Sequence, residues 1–395
     1  MVHVNCNNYF NTGDKSLCSG CAACQQACPF DALSMQPDEE GFLFPVKNLD
    51  KCTNCGLCER ICPFNKPIYK NEPQSFFGCY SKDSKERKQS SSGALFYILA
   101  KYVIDNGGVV AGAYLSSELK VRHIIVSDLK DLNLLRGSKY VQSNPGDIYK
   151  VIRNLLQQGT LVYFCGTGCQ VAGLKAFLRT DYSNLITSDL VCHGVPSQYL
   201  FDLHINYMAN RLGDIIVDYK FRDDENWGGC ETIITSKGGA FKKPSYILSP
   251  YLNSFIKGLT FRYSCYNCPY AHIPRQGDLT LADLWGVKKI APTLNPKHGV
   301  SFVMINSAMG EKLWQNIKSE IELKEVQLAK VMNYNYNLAY PSKMPKLRPF
   351  VFEIVKTKGY AYAAKTIFKA SLKEIIFMYG RRYLKKILIC IGVLR

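Results

Sequence analysis

The chain has 395 residues, 47% of them apolar, which suits two to three packed domains of ~100–200 residues each and excludes wholesale disorder. No apolar run approaches the ~18 residues a spanning helix needs, the one at the end, Ile387 to Leu394, being eight residues long, so no such helix is expected. The charge of +17 is uneven, with a net −1 over residues 1–70 and +11 over 341–395. A neutral-to-acidic head, a mildly basic body and a strongly basic tail therefore suggest different partners.

Met1 to Cys6 carries no basic-then-apolar leader, so no export signal is expected. Seventeen cysteines then point to a reducing cytoplasm, where thiols serve metal or redox work rather than disulfides.

The head opens on an internal repeat. Cys18-Ser-Gly-Cys21-Ala-Ala-Cys24-Gln-Gln-Ala-Cys28-Pro29 returns 34 residues later as Cys52-Thr-Asn-Cys55-Gly-Leu-Cys58-Glu-Arg-Ile-Cys62-Pro63. Both copies match the run that holds two [4Fe-4S] clusters in bacterial ferredoxins, where the fourth cysteine ligates the other cluster. Cluster I is accordingly assigned Cys18, Cys21, Cys24 and Cys62, and cluster II Cys52, Cys55, Cys58 and Cys28. Zinc also takes paired cysteines, but it does not account for a third cysteine and a Cys-Pro in both copies. Phe30, Leu33, Phe42, Phe44 and Phe64 would wrap the clusters or simply form the core of a small α+β domain.

In the body, Ser92 is expected to cap a helix over Leu95 to Val103, ended by Asn106-Gly107-Gly108. Val109–Leu115 and Val121–Ser127 read as strands, and 146–157 as a helix. Leu161–Cys165 is a short strand leading through a Gly166-Thr167-Gly168 loop into a helix over Val171–Leu178. Leu185–Val191 is another strand, followed by Cys192-His193-Gly194 and a helix to about Leu212. Such alternation predicts an α/β body with a mostly parallel sheet, whose ligands bind at the carboxyl ends of the strands. The Gly166 turn is a candidate phosphate site, although a glycine turn has commoner reasons. Neither a complete dinucleotide fingerprint nor a phosphate-binding lysine loop is present. Cys169, Cys192, Cys265 and Cys268 could close a third cluster, form a redox-active dithiol, or be inert core thiols. Cys6, Cys79, Cys165, Cys230 and Cys390 read as structural.

Ser91-Ser92-Gly93, Arg136-Gly-Ser138-Lys139-Tyr140, Gly166-Thr167-Gly168-Cys169-Gln170, Asp189-Leu-Val-Cys192-His193-Gly194, Lys220-Phe-Arg-Asp223, Ser264-Cys265-Tyr-Asn-Cys268-Pro and Ala282-Asp-Leu-Trp-Gly286 follow in order. In these the chain resembles the coenzyme F-420 hydrogenase/dehydrogenase beta-subunit family, in the version with an N-terminal two-cluster ferredoxin domain. The resemblance implies four parts: 1–70, the two-cluster domain; 71–155 and 156–335, the N- and C-terminal parts of the beta subunit; and 336–395, a basic helical tail. It also implies an FAD-dependent iron–sulfur oxidoreductase. The flavin-side positions correspond to Ser92, Gly93, Ser138, Lys139, Tyr140, Gly166 and Thr167, and the body cysteines to Cys169, Cys192, Cys265 and Cys268. The chain departs from the family at Gly168, where a proline is usual, and at Ala94, where a second glycine is frequent.

Clusters move single electrons, most reducible organic substrates take two with a proton, and a flavin does both. Electrons are therefore expected to pass from a ferredoxin or other redox protein through the clusters to FAD, which passes hydride to a deazaflavin or another small organic substrate. Lys139 and Arg222 are candidates for anion contacts, and His193 for the proton donor. The alternative is a non-catalytic electron-transfer subunit docked on a partner enzyme. The basic end, amphipathic over Ile376–Leu394, could lie on an anionic membrane surface on the inner face. Nucleic acid ranks below that, and an appendage with solvated lysines is the default.

Overall fold

The structure, a computed structural model, describes residues 8–64, 73, 75–222, 229–243 and 245–380. Cys6, Asp223, Cys390 and the amphipathic end from Arg381 onward lie outside the described residues.

The head is a hairpin with two short helices. Strands β1 (Leu33–Pro37) and β2 (Leu43–Lys47) pair antiparallel, and helices Ala23–Ala27 and Leu57–Arg60 leave the two cysteine loops. The sequence repeat is also a backbone repeat. Gly20 (φ 68°) and Ala22 (φ 61°) in the first loop match Asn54 (φ 55°) and Gly56 (φ 70°) in the second. Left-handed residues between ligands turn N–H groups toward the inside of the loop, a concavity suited to an anion.

The body adds β3 (Ser75–Ser81), β4 (Val109–Leu115), β5 (Val121–Val126), β6 (Val162–Thr167) and β7 (Leu185–Leu190). Next come β8 (Ile216–Arg222), β9 (Gly229–Thr235) and β10 (Ala240–Lys243). The last are β11 (Leu279–Asp283), β12 (Ser301–Ile305) and β13 (Ile321–Glu325). Among the described residues, eight strands form one sheet in the order β13-β3-β12-β11-β7-β6-β4-β5. The expected parallel pairing holds at the centre, β11-β7-β6-β4, whereas both flanks are antiparallel, so the sheet is mixed. Helical crossovers give parallel neighbours; the short turn between β4 and β5 can give only an antiparallel one. Strands from 71–155 and from 156–335 share this sheet, so these two parts are one layer.

Side-chain alternation along β6 splits the packing. Tyr163 and Cys165 enter one core with Leu95, Ile98 and Trp314; Phe164 enters the opposite core with Ile152, Val171 and Leu174. That second core also takes Cys21 and Ala23, so the head is docked onto this face. Ser92 does not cap the helix Leu95–Asp105. Its first turn is entered through Ala94 in a left-handed conformation (φ 68°), which has no side-chain cap. That conformation gives the physical reason a glycine suits position 94. The Gly166-Thr167-Gly168 segment is not a loop either: β6 runs to Thr167 and the helix Gly168–Leu178 starts at the next residue.

A second sheet, β10-β9-β8, is antiparallel. It packs in a core with Phe201 and Tyr251, with Phe42 and Phe44 of the head, and with Val351, Phe352, Val355 and Phe368. The tail expectation is corrected here. Helices Arg348–Lys358 and Tyr360–Thr366 put their apolar face into that core and their lysines outward. Phe42 and Phe44 thus pack against the body and tail, and Phe30 is 47% exposed. Arg348, fully buried, donates from Nη1 to Glu40 Oε1 at 2.9 Å and from Nε to the Phe261 carbonyl at 2.8 Å, tying the tail to the head. Among the described residues, no helix is long and apolar enough to cross a membrane.

Candidate functional site

None of the twelve cysteines singled out by the sequence is in a disulfide. In the head, burial and then the neighbouring thiols Cys62, Cys18 and Cys169 push the Cys21 thiol far up. Cys24 is raised likewise, by burial and then by Cys21, Cys18, Cys62 and Cys58. Cys18, Cys21 and Cys62 are thus within electrostatic reach of one another and of Cys24, with Cys58 and Cys169 also contributing. In the body, the Cys192 thiol is pushed up to about 12 by burial and by Cys169 and Cys268. Burial and Cys169 push Cys268 up to about 11, and Cys265 rises through burial, Cys192, Cys268 and Cys169. Three chain segments converge to make this set: the start of the helix after β6, the loop after β7 and the turn Tyr263–Asn267.

A buried group of thiols that raise one another's pKa is stable as thiolates only around a cation. A cubane carries its thiolates on separate corners, and cysteine is its characteristic ligand. The donor chemistry and spacing therefore fit iron–sulfur clusters. A cradle feature agrees: a Cβ on Gly173 would lie 2.9 Å from Cys21 Cβ and 3.2 Å from its Sγ, so only glycine lets the first loop sit this close to the body helix.

Beside the body thiols lies a cavity of about 600 Å³, within the range of cofactor sites. It opens at the carboxyl ends of β6, β7 and β11, where the sheet was expected to bind a ligand. Ser92, Ser138, Lys139, Tyr140, Gly166 and Thr167 all line it, together with His193, Arg222 and the four body cysteines. Gly93 does not line it. A Cβ there would meet the Cys79 carbonyl oxygen at 2.4 Å, and its N–H donates to Ser301 Oγ at 3.0 Å. Gly93 therefore sets the loop that presents Ser92, whose hydroxyl is buried without a partner.

Lys139 donates to the Leu134 and Arg136 carbonyls at 3.2 and 2.8 Å, and burial lowers its pKa to about 7. Arg222 is largely committed: Nη1 donates to the Ser91 carbonyl at 2.9 Å and Nη2 to Asp283 Oδ2 at 2.8 Å. Burial opposes its charge, but Asp283 more than restores it. Its Nε has no partner, so that nitrogen can still donate to an anion. The Tyr140 ring stacks on Phe255 at 4.4 Å, and burial lowers the pKa of His193.

Sequence reasoning missed Tyr270, Trp285 and Asn335 on the cavity wall, and Arg262 between head and body. Arg262 stands three residues before Cys265 in the sequence, and a lone arginine in a Phe-Arg-Tyr run beside a ligand was the available signal.

Residues 159–330 match the family described as the C terminus of the beta subunit of coenzyme F420 hydrogenase/dehydrogenase. Residues 17–66 match the 4Fe-4S dicluster domain. No curated protein matches. Among solved structures, a chain of the F420-reducing [NiFe] hydrogenase complex from Methanosarcina barkeri is similar at 18% identity and a TM-score of 0.47, covering 67% of this chain and 90% of that one. The paired cysteine runs and the ordered body motifs are thus accounted for region by region: residues 159–330 are those of the coenzyme F420 hydrogenase/dehydrogenase beta-subunit family and residues 17–66 a 4Fe-4S dicluster domain, which together make the chain an iron–sulfur electron-transfer protein of oxidoreductase type.

Proposed function

We propose that the chain is an FAD-dependent oxidoreductase. Electrons from a ferredoxin-type protein enter singly at the head clusters and reach FAD in the cavity, and a deazaflavin or other organic substrate exchanges hydride with it. The supporting observation is that one cavity wall carries both the flavin-side residues and Cys169, Cys192, Cys265 and Cys268, while Cys21 packs against Gly173, one turn beyond Cys169 on the same body helix. We assign those four body thiols to a third cluster, with clusters I and II held as the repeat spacing dictates.

Bound FAD would supply the exchange between one-electron and two-electron chemistry. The protein's share is positional. Ser92, Ser138, Gly166 and Thr167 offer hydroxyls and backbone at the strand ends. Lys139 regains its charge when an anionic phosphate arrives, because an opposite charge offsets the burial that lowers its pKa. Tyr140, braced by Phe255, offers a flat apolar face. His193 is the side chain we assign to proton donation to the substrate. For the chain's end we carry over the anionic membrane surface as a partner. A flotation test must truncate after Ala370, since Phe368 and Ala370 belong to the interior.

The deciding measurement is anaerobic reconstitution with iron, sulfide and released flavin counted per chain. About twelve irons and one FAD support the full reading, and about eight irons with FAD remove the body cluster. Iron without flavin moves the assignment to a non-catalytic electron carrier.

A further inference from the structure

The seam between head and body holds a buried cation without a carboxylate. Arg262 is 1% exposed. Its Nε donates to the Cys18 carbonyl at 2.6 Å, its Nη1 meets Gln142 Oε1 at 3.4 Å, and its guanidinium lies over the Phe44 ring at 3.9 Å. Its Nη2 is buried and unpartnered, and among the described residues it makes no ion pair. The other arginines of this region are different: Arg222 faces Asp283, Arg275 faces Asp189 and Arg348 faces Glu40. A buried charge left uncompensated is strongly disfavoured, so the missing anion should lie beside it. The groups in reach are the cysteine sets: Cys18 through the carbonyl contact, and Cys169, whose thiol is raised by burial, an effect that the Thr167 hydrogen bond and then Arg262 oppose. A Cβ on Gly20 would come within 3.0 Å of Arg262 Nη1, so the first cysteine loop has kept room for it.

A second unpartnered group points the same way. Tyr270 is 2% exposed, its hydroxyl has no partner, and burial, then the thiols Cys21, Cys169, Cys62 and Cys268, push its pKa up. Its ring stands edge-on to Phe64 of the head at 6.4 Å.

We propose that Arg262 and Tyr270 are redox-tuning residues: the guanidinium is the counter-charge, and the hydroxyl a hydrogen-bond donor, of the clusters that meet across the head–body seam. The proposal rests on the cysteine sets holding cubanes, as read above. The step it governs is a one-electron transfer in which an iron–sulfur donor protein loses one electron and a cubane gains it, with no bond made and no proton moved. A cubane with four thiolates is an anion whose charge grows by one on reduction. A cation and a donor fixed beside it favour the reduced form and raise its potential. Electrons arriving at the outward cluster II are thereby drawn inward to the seam.

The test is a potentiometric titration of the reconstituted full chain, followed by electron paramagnetic resonance, for Arg262→Gln, Arg262→Lys and Tyr270→Phe. Arg262→Gln should lower the midpoint of a seam cluster by a tenfold change in its redox equilibrium, about 59 mV for one electron. Arg262→Lys should recover most of that, Tyr270→Phe should shift less in the same direction, and cluster II should not move. Where Arg262→Gln fails to load iron, Tyr270→Phe decides. A wild-type midpoint in Tyr270→Phe, together with one in Arg262→Gln where it loads, overturns the proposal. A chain that holds clusters but no flavin defeats the cavity reading and leaves this titration intact. A wild-type chain that holds no iron defeats both.

Discussion

The two copies of the cysteine repeat share one spacing and one backbone turn, yet live in different surroundings. In the first copy Cys21 is buried in a core with Phe164, Val171 and Leu174 of the body. In the second, the equivalent Cys55 is exposed, and Lys51, Asn54 and Arg60 beside it face solvent. Identical ligand chemistry thus carries two roles. Burial and nearby charge set a cluster's potential, and exposure sets which cluster a partner protein can reach. In the proposed reading the spacing sets the two clusters, and the docking of head on body sets their order.

The sharpest way to break this asymmetry is to release the head. Arg348→Ala leaves Glu40, 6% exposed, without its buried cation. Removing one partner of a buried pair costs about 3–5 kcal/mol, so urea unfolding should show a loss of that size, with hydrogen exchange rising first around Phe42 and Phe44. Stability equal to wild type would mean that the tail does not hold the head. Gly173→Ala attacks the seam itself. The new methyl would meet Cys21 Cβ at 2.9 Å and the Tyr149 hydroxyl at 3.0 Å, an overpacking cost of about 1–3 kcal/mol. Iron should fall by one cubane while the exposed second cluster stays; equal loss from both copies would refute the separation.

The inward order requires an acceptor in the cavity, and Lys139 gives it a pH signature. Burial lowers the free lysine to about 7, and a bound phosphate raises it again. The protonated free form is the one that binds. Flavin affinity should therefore be highest below pH 7 and fall as pH rises through that value, by up to about tenfold per unit. Fluorescence titrations at several pH values measure this, and Lys139→Met should bind weakly with a flat profile. A sloping profile in that variant would place the titrating group elsewhere.

What could be read from the sequence is what chemistry pins to local spacing. The cysteine repeat is written in the residue types alone, and strands β4 and β5 lie where those types put them. What escaped depends on distant chain. Arg262 reaches Cys18 across 244 residues and Arg348 reaches Glu40 across 308, and no local pattern encodes either contact. The antiparallel flanks were hidden for the same reason, since β3 lies between β12 and β13, far along the chain. Glycine misled at Gly166 and Gly168. Their lack of a side chain serves close packing, with a Cβ on Gly168 reaching Tyr270 Cβ at 2.9 Å, and not a turn.

The smallest test lies inside the repeat. Gly56 (φ 70°) and its counterpart Ala22 (φ 61°) enter their helices in the left-handed region. There a side chain costs roughly 1–2 kcal/mol, which glycine avoids. Gly56→Ala should destabilise by about 1 kcal/mol, because its methyl meets only the flexible end of Arg60 at 3.1 Å. The reverse change is not its mirror. Ala22 is 2% exposed, so Ala22→Gly relieves the backbone but loses a buried methyl worth about 0.8 kcal/mol. The two effects offset, and Ala22→Gly should leave stability nearly unchanged. Equal and opposite shifts in the two variants would mean that the two loops sit in equivalent surroundings, and the order of electron flow drawn from their difference would fall with it.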